Sequence, residues 1–230
     1  RYRFFEVLPG LLTWSILALP FILSQVNPRL CVLFIIGYLL LWFAKSVGLN
    51  VRAIQGYLTL NKHSKYPWAQ MLNELENTKV NQPEKHIPTW HYEHVRNFQE
   101  NPNSIKPTEL VHALIVATYN ESREVLEPTI QSILESDYDM SKVILVLAYE
   151  ERGGPEVEAQ AKQLMADYNN KFMHAFAVKH PADIEGEVIG KGGNITFAGR
   201  ELEKYAAFKG IDPTRLVVTT LDSDNRPHKK

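Results

Sequence analysis

The sequence predicts an α/β fold built on an open, mainly parallel sheet and preceded by a pair of membrane-spanning helices. Three observations predict it. Two adjacent apolar runs lie between Val7 and Ala44. From Leu110 onward, short continuous apolar runs alternate with helical patterns, the order that builds a parallel sheet covered by helices. Polar clusters follow three of the four strand-like runs, on the edge where such sheets bind ligands. The chain has 230 residues and a net charge of −1, so no basic excess points to a nucleic-acid partner. Its single cysteine, Cys31, sits in an apolar stretch, which rules out a disulfide framework and suits a reduced, cytosolic site for the globular part.

The first segment, residues 1–49, reads as two transmembrane helices. No residue from Val7 to Pro28 is charged, and the run meets the ~20 residues that a spanning helix needs. Pro20 kinks such a helix in a way membranes tolerate. Asn27-Pro28-Arg29 makes a short turn. The second run, Leu30 to Ala44, is extended because Lys45 can snorkel and Val47-Gly48-Leu49 follow it. Trp14 and Trp42 suit the interfaces. Buried core helices or a signal peptide share this composition, but two adjacent runs of this density favour insertion in the bilayer. Arg1, Arg3, Lys45, Arg52, Lys62 and Lys65 lie at one end of the hairpin and Arg29 at the other. The positive-inside bias then expects an inner- or plasma-membrane protein whose following domain is cytoplasmic.

Residues 50–109 are expected to hold an interfacial helix and a linker. Val47, Val51, Ile54 and Leu58 form one apolar stripe, as in a helix lying on the membrane surface or an amphipathic helix of the soluble part. Residues 79–109 carry Pro83, Pro88, Pro102 and Pro107 among polar residues, with one short helix around His91 to Phe98.

Residues 110–230 carry the α/β pattern. Val111 to Ala117 is a strand buried on both faces. Ser122 to Ser136 is a helix with Leu126, Ile130, Ile133 and Leu134 inward. Val143 to Ala148 is the second buried strand. Pro155 opens a helix that turns Val157, Ala161, Leu164, Met165 and Tyr168 to the core. Met173 to Val178 is the third strand, Lys191 to Phe208 is helical in its later part, and Leu216 to Leu221 is the fourth strand.

Asp222 and Asp224 follow that fourth strand at i and i+2, so their side chains point the same way. Such a pair can hold a hard divalent cation, and the cation a diphosphate. An Asp-x-Asp is common, and in isolation a polar turn after a strand explains it better. Thr118-Tyr119-Asn120-Glu121 and Tyr149-Glu150-Glu151-Arg152 end the first and second strands on the same edge. For a nucleoside diphosphate, Tyr119 can stack on the base, Glu150 can accept from a base N–H, and Asp222 can accept from ribose hydroxyls. Asp224, through a metal, and the Lys191 ammonium can meet the diphosphate. Lys191-Gly192-Gly193-Asn194 precedes a helix, where glycines admit phosphate to the backbone and the helix N-terminus favours anions. Structural roles compete: Tyr119 as a strand cap, Glu121 as a helix-start residue, Gly192-Gly193 as a plain turn. The P-loop pattern fails, because Gly186 to Gly190 is one residue short and Gly192 follows Lys191. No G-x-G-x-x-G follows the first strand, which disfavours a nicotinamide enzyme.

Taken in order, Thr118-Tyr119-Asn120-Glu121, Lys191-Gly192-Gly193-Asn194 with Ala198, and Asp222-Ser223-Asp224-Asn225-Arg226-Pro227 resemble the motifs of family 2 glycosyltransferases. The most similar group is membrane-bound, cellulose-synthase-like and hyaluronan-synthase-like, and the resemblance covers Leu110 to Lys230. It implies a Rossmann-like sheet of the nucleotide-diphospho-sugar transferase type and a nucleotide-sugar donor, often a UDP-sugar. It implies Mg²⁺ or Mn²⁺, and transfer with inversion to a polysaccharide or a lipid-linked acceptor. By that resemblance Thr118, Tyr119, Glu121 and Asn194 belong to the nucleotide-sugar site, Lys191 meets the diphosphate, Asp222 the donor and Asp224, with Asp222, the metal. The family's two aspartates after the second strand are replaced by Tyr149-Glu150-Glu151, so Glu150 or Glu151 reads the base and the preference for uracil is open. The family's catalytic base and its tryptophan-containing acceptor motif lie downstream. The chain is therefore expected to be an N-terminal piece that binds donor weakly and does not turn over alone. Two other classes compete: a membrane-anchored, non-catalytic nucleotide-binding module, and a nucleotidyltransferase, whose glycine-rich loop after the first strand is not matched by Thr118 to Glu121.

Overall fold

The computed structural model describes residues 2–79, 84, 86–101 and 103–229; Arg1, Pro83, Pro102 and Lys230 lie outside them. The chain divides into two compact units, Arg1–Lys65 and Tyr66–Lys230.

The first unit is a helical hairpin. Helix α1, Tyr2–Val26, has 25 residues and runs through Pro9 and Pro20. Helix α2, Pro28–His63, has 36 residues and packs along α1. At 1.5 Å per residue they span about 37 and 54 Å, against a hydrocarbon core of about 30 Å. Asn27 joins them: its side-chain oxygen accepts from the Arg29 N–H at 3.0 Å, and Pro28 occupies the first helical turn, where its missing donor costs nothing. Both helices are long and apolar enough to cross a membrane, and no residue of either is buried by protein. The surface helix expected around Val47 to Leu58 is not a separate element. No proline falls between Pro28 and Pro67, so nothing removes a backbone donor, and the stripe forms the last turns of α2.

The second unit opens with two short helices: α3, Trp68–Asn77, which the sequence reading did not mark, and α4, Thr89–Glu100, which contains the short helix expected around His91 to Phe98. They share a small core of Tyr66, Met71 and Ile87, with Trp68 and Tyr92 against it. At its centre Glu74 and His91 are both buried and meet at 2.8 Å.

The rest is a four-stranded, all-parallel sheet. The strands are β1, Val111–Thr118, β2, Val143–Glu150, β3, His174–His180, and β4, Leu216–Asp222, in the order β3-β2-β1-β4. Helix α5, Arg123–Leu134, follows β1; α6, Gly154–Tyr168, follows β2; α7, Lys191–Lys209, joins β3 to β4. Side chains alternate across the strands. Leu145, Leu147 and Tyr149 face one core with Leu126, Ile130 and Leu164 of α5 and α6. Ile144, Val146 and Ala148 face the other with Ala198 and Leu202 of α7. Every residue of β2 is buried, which explains its uninterrupted apolar run. β3 and β4 are the two edge strands, and β4 is the more exposed, with Val217 and Val218 uncovered.

The register sets the functional edge. Thr118 lies opposite Tyr149, Ala117 opposite Asp222, and Glu150 opposite His180. The carboxyl ends of all four strands are therefore level. The chain leaves β1 toward β2 on one side, and β4 arrives on the other, so the order reverses at β1. That reversal opens a crevice at the carboxyl edge of the sheet.

Candidate functional site

A cleft of about 550 Å³ fills this crevice. Its lining includes Thr118, Tyr119 and Glu121 after β1, Glu150 at the end of β2, Lys191 and Asn194 at the start of α7, and Asp222 and Asp224 after β4. These residues, all singled out from the sequence, thus meet in one cleft, brought there from positions more than a hundred residues apart by the level strand ends.

The loop after β1 is shaped by Glu121. Its Oε2 accepts from the Thr118 hydroxyl at 2.5 Å and from the Tyr119 backbone N–H at 2.7 Å. Burial pushes the Glu121 carboxyl up, but these hydrogen bonds outweigh it and hold the group below the usual carboxylate range. Glu121 therefore acts first as a clasp on its own loop, folded back on Thr118 and Tyr119. The Gln160 amide, from α6, donates to the Glu121 carbonyl at 2.9 Å. With the backbone so fixed, the Tyr119 side chain is half-exposed at the cleft.

The same loop needs Gly153. A Cβ at 153 would stand 2.7 Å from the Tyr119 carbonyl oxygen and 3.1 Å from Val157 Cγ2. Backbone, not a flexible side chain, blocks the space. Gly153→Ala is expected to destabilise the α/β unit by about 1–3 kcal/mol, the range for overpacking. A thermal melt unchanged from wild type would show that the Tyr119 loop yields freely.

Glu150 is buried, and Glu151 is not. The Glu150 Oε2 accepts from Arg152 Nη2 at 2.6 Å and lies 3.1 Å from His180 Nδ1. Burial pushes its carboxyl up, and the Arg152 and His180 contacts pull it net below the usual range. Glu151 turns away from the cleft, where it accepts from the Ala182 N–H at 3.0 Å and pairs with Lys179 at 3.4 Å. Of the two glutamates left open by the sequence, Glu150 is the one that lines the cleft. Arg152 lines it too, and its buried Nε finds no partner among the described residues.

Asn194 has a structural duty. Its side-chain amide donates to the Ala148 carbonyl at 3.0 Å and the Thr118 carbonyl at 3.3 Å, tying α7 to the ends of β1 and β2. Its Oδ1 is buried without a partner among the described residues. Helix α7 begins at Lys191, earlier than its glycines suggest; the Gly193 N–H donates to the Gly190 carbonyl at 3.1 Å and closes the first turn. The Lys191 ammonium pairs with the Asp222 carboxylate across the cleft. Ser223 is buried and its carbonyl accepts from the Thr129 hydroxyl of α5 at 2.7 Å, so the chain between the two aspartates is anchored. Asp224 is exposed and has no ion-pair partner among the described residues.

Arg152, His180 and Ser223 join the site without having been singled out. Arg152 stood in the polar cluster after the second strand, and only its contact with Glu150 marks it. His180 lay beyond the expected end of the third strand; its position on the ligand-binding edge was the available signal. Ser223 sits between two carboxylates that drew the attention.

No family model matches the chain, and no curated protein matches it. Solved structures that resemble it include the crystal structure of S. aureus TarS, which is 18% identical, with 50% of this chain and 17% of that chain covered and a TM-score of 0.31. A likeness at that score carries no argument about function. The chain spans about a sixth of that protein's length.

Proposed function

We propose that the chain is the donor-binding part of an integral-membrane glycosyltransferase, which moves a sugar from a nucleoside-diphosphate sugar to a polysaccharide or lipid-linked acceptor. The observation that carries the proposal is the convergence, in one cleft at the switch point of a parallel sheet, of an aromatic ring, a buried carboxylate, a lysine at a helix N-terminus and two strand-end aspartates. Each has a role in that chemistry. Tyr119 offers a face for the base, and Glu150, whose Oε2 is engaged by Arg152 and His180, offers Oε1 to a base N–H. Asp222 accepts from the donor's hydroxyls. Lys191 and the first turn of α7 attract the diphosphate. The donor is a UDP-sugar by the sequence resemblance, and the reaction a single in-line displacement that inverts the anomeric carbon.

The aspartates suit Mg²⁺ or Mn²⁺. No group of three or more His, Cys, Asp or Glu suited to a metal occurs among the described residues, so an all-protein cage is not what this cleft provides. Two hard oxygen donors at a strand end are instead the set for an ion that keeps waters and takes substrate phosphate oxygens. Asp224, with Asp222 once Lys191 turns to phosphate, would hold it. When bound, the ion supplies positive charge against the leaving diphosphate. The two long apolar helices are assigned to the bilayer, with the sheet unit on the cytoplasmic side by the flanking basic residues.

The test is a calorimetric screen of UDP, GDP and other diphosphates against the full chain in detergent, with and without Mn²⁺. Binding of one nucleotide, strengthened by metal, is the expected result; none binding to folded protein overturns the proposal. In the same assay Tyr119→Ala is expected to weaken the preferred nucleotide by about 1–3 kcal/mol, the range for base–aromatic stacking. An unaltered dissociation constant would leave Tyr119 with a structural role only.

A further inference from the structure

His180 ends β3 and is buried, with 3% of its surface exposed. Its two ring nitrogens face two different carboxylates: Nδ1 lies 3.1 Å from Glu150 Oε2 and Nε2 lies 3.3 Å from Glu187 Oε2. The Phe197 ring of α7 packs edge-on at 5.5 Å. Glu150 belongs to the cleft. Glu187 belongs to the segment 181–190 that leads from β3 into Lys191, and that segment carries Ile189 into the cleft lining. Glu187 also reaches over the first turn of α7. A Cβ on Gly193 would come within 2.1 Å of its Oε1, so the missing side chain at 193 leaves the room that Glu187 occupies. The segment is held at its start by the Ala182 N–H on the Glu151 carboxylate at 3.0 Å, and near its end by the His180–Glu187 contact. Carboxylates only accept, so the ring donates to both when both of its nitrogens carry protons. One buried imidazole therefore joins the carboxylate assigned to the base with the segment that delivers the lysine assigned to the diphosphate.

We propose that His180 is a positioning residue that performs two separable tasks: its Nδ1 side sets the Glu150 carboxylate for base discrimination, and its Nε2 side tethers segment 181–190 through Glu187. The first task rests on the nucleotide-site proposal above; the second does not. Covalent geometry separates them. The amide nitrogen of asparagine lies as many bonds from Cβ as Nδ1, and that of glutamine as many as Nε2. His180→Asn keeps a donor for Glu150 and loses reach to Glu187, whereas His180→Gln does the reverse.

The experiment measures two quantities on the full chain in detergent: the affinity ratio of UDP to GDP by calorimetry, and hydrogen exchange of the amides in 181–190 without nucleotide. For His180→Asn the ratio stays at the wild-type value and exchange in 181–190 rises. For His180→Gln exchange stays slow and the preferred nucleotide weakens about tenfold, the cost of a lost hydrogen bond to a charged group, with the ratio moving toward one. Glu187→Ala raises exchange in 181–190 and leaves the ratio unchanged. Two His180 variants that behave alike in both measurements overturn the proposal, since a purely structural histidine would respond that way. If neither His180 variant folds, Glu187→Ala decides the tether, and unchanged exchange overturns it. Wild-type protein that binds neither nucleotide overturns the base-discrimination task together with the site proposal, while the exchange measurement still decides the tether on its own.

Discussion

Asp224→Ala is expected to remove the Mn²⁺ dependence of nucleotide binding and, in a full-length transferase that carries the catalytic base, to lower sugar transfer on the order of a hundredfold or more, the scale of losing transition-state charge stabilisation. The surroundings of the two aspartates make the experiment specific. Asp222 is engaged by Lys191, so its replacement would free a lysine as well as remove a ligand. Asp224 is exposed and makes no ion pair among the described residues. Ser223 between them is held through its carbonyl by Thr129, so truncation at 224 leaves the end of β4 in place. The substitution thus removes one carboxylate and no ion pair among the described residues, and the melting temperature should not move. Calorimetry with UDP, with and without Mn²⁺, and a transfer assay read the effect. Equal nucleotide affinity with and without metal in wild type, or unchanged transfer in Asp224→Ala, would sink the assignment of the metal to this carboxylate.

The sheet was legible in the sequence because its inner strands are buried on both faces. A strand covered on both sides needs apolar side chains at every position, and Val143 to Ala148 spells that without interruption. The gathering of the cleft residues was legible for a related reason. Once the strands are parallel, their carboxyl ends fall on one edge, and any polar residues that follow them become neighbours whatever their distance along the chain. What the run could not tell was a strand's place in the sheet. Leu216 to Leu221 reads like an inner strand, yet β4 is an edge with Val217 and Val218 exposed, because composition records β-propensity and not the number of neighbours.

Helices α3 and α4 were partly hidden for the opposite reason. Their shared core contains Glu74 and His91, two polar residues made acceptable in the interior by meeting at 2.8 Å, with the Gln70 amide donating to Glu74 at 3.2 Å. A pattern that counts apolar positions marks both as surface. His180 was hidden in the same way: Lys179-His180-Pro181 looks like a polar turn, and only the fold shows two carboxylates brought to its ring. The start of α7 was read as a loop since Lys191-Gly192-Gly193 has poor helix propensity. Tertiary contacts override that, chiefly those of Asn194.

Asn194→Asp is the sharpest test of that override. The substitution changes one atom of the side chain from a donor nitrogen to an acceptor oxygen and adds a charge. In the wild type the amide nitrogen donates to the Ala148 and Thr118 carbonyls, at the point where β1, β2 and α7 meet. An aspartate there would face both carbonyl oxygens with a negative oxygen, at a position that is 2% exposed. A buried charge left uncompensated costs about 3–5 kcal/mol, which for a unit of this size corresponds to a fall in melting temperature of roughly 6–20 °C. Asn194→Ala removes the donor without adding charge and should cost less, about 1–3 kcal/mol, the penalty for buried carbonyls left unpaired. The ordering of the two variants carries the argument: if Asp is tolerated as well as Ala, the donor contacts do not hold α7 to the sheet. Its consequence reaches the cleft as well. Lys191 sits one turn before Asn194 on the same helix, so loosening the anchor should cost the full chain nucleotide affinity even where the protein remains folded, measured by calorimetry below the melting transition.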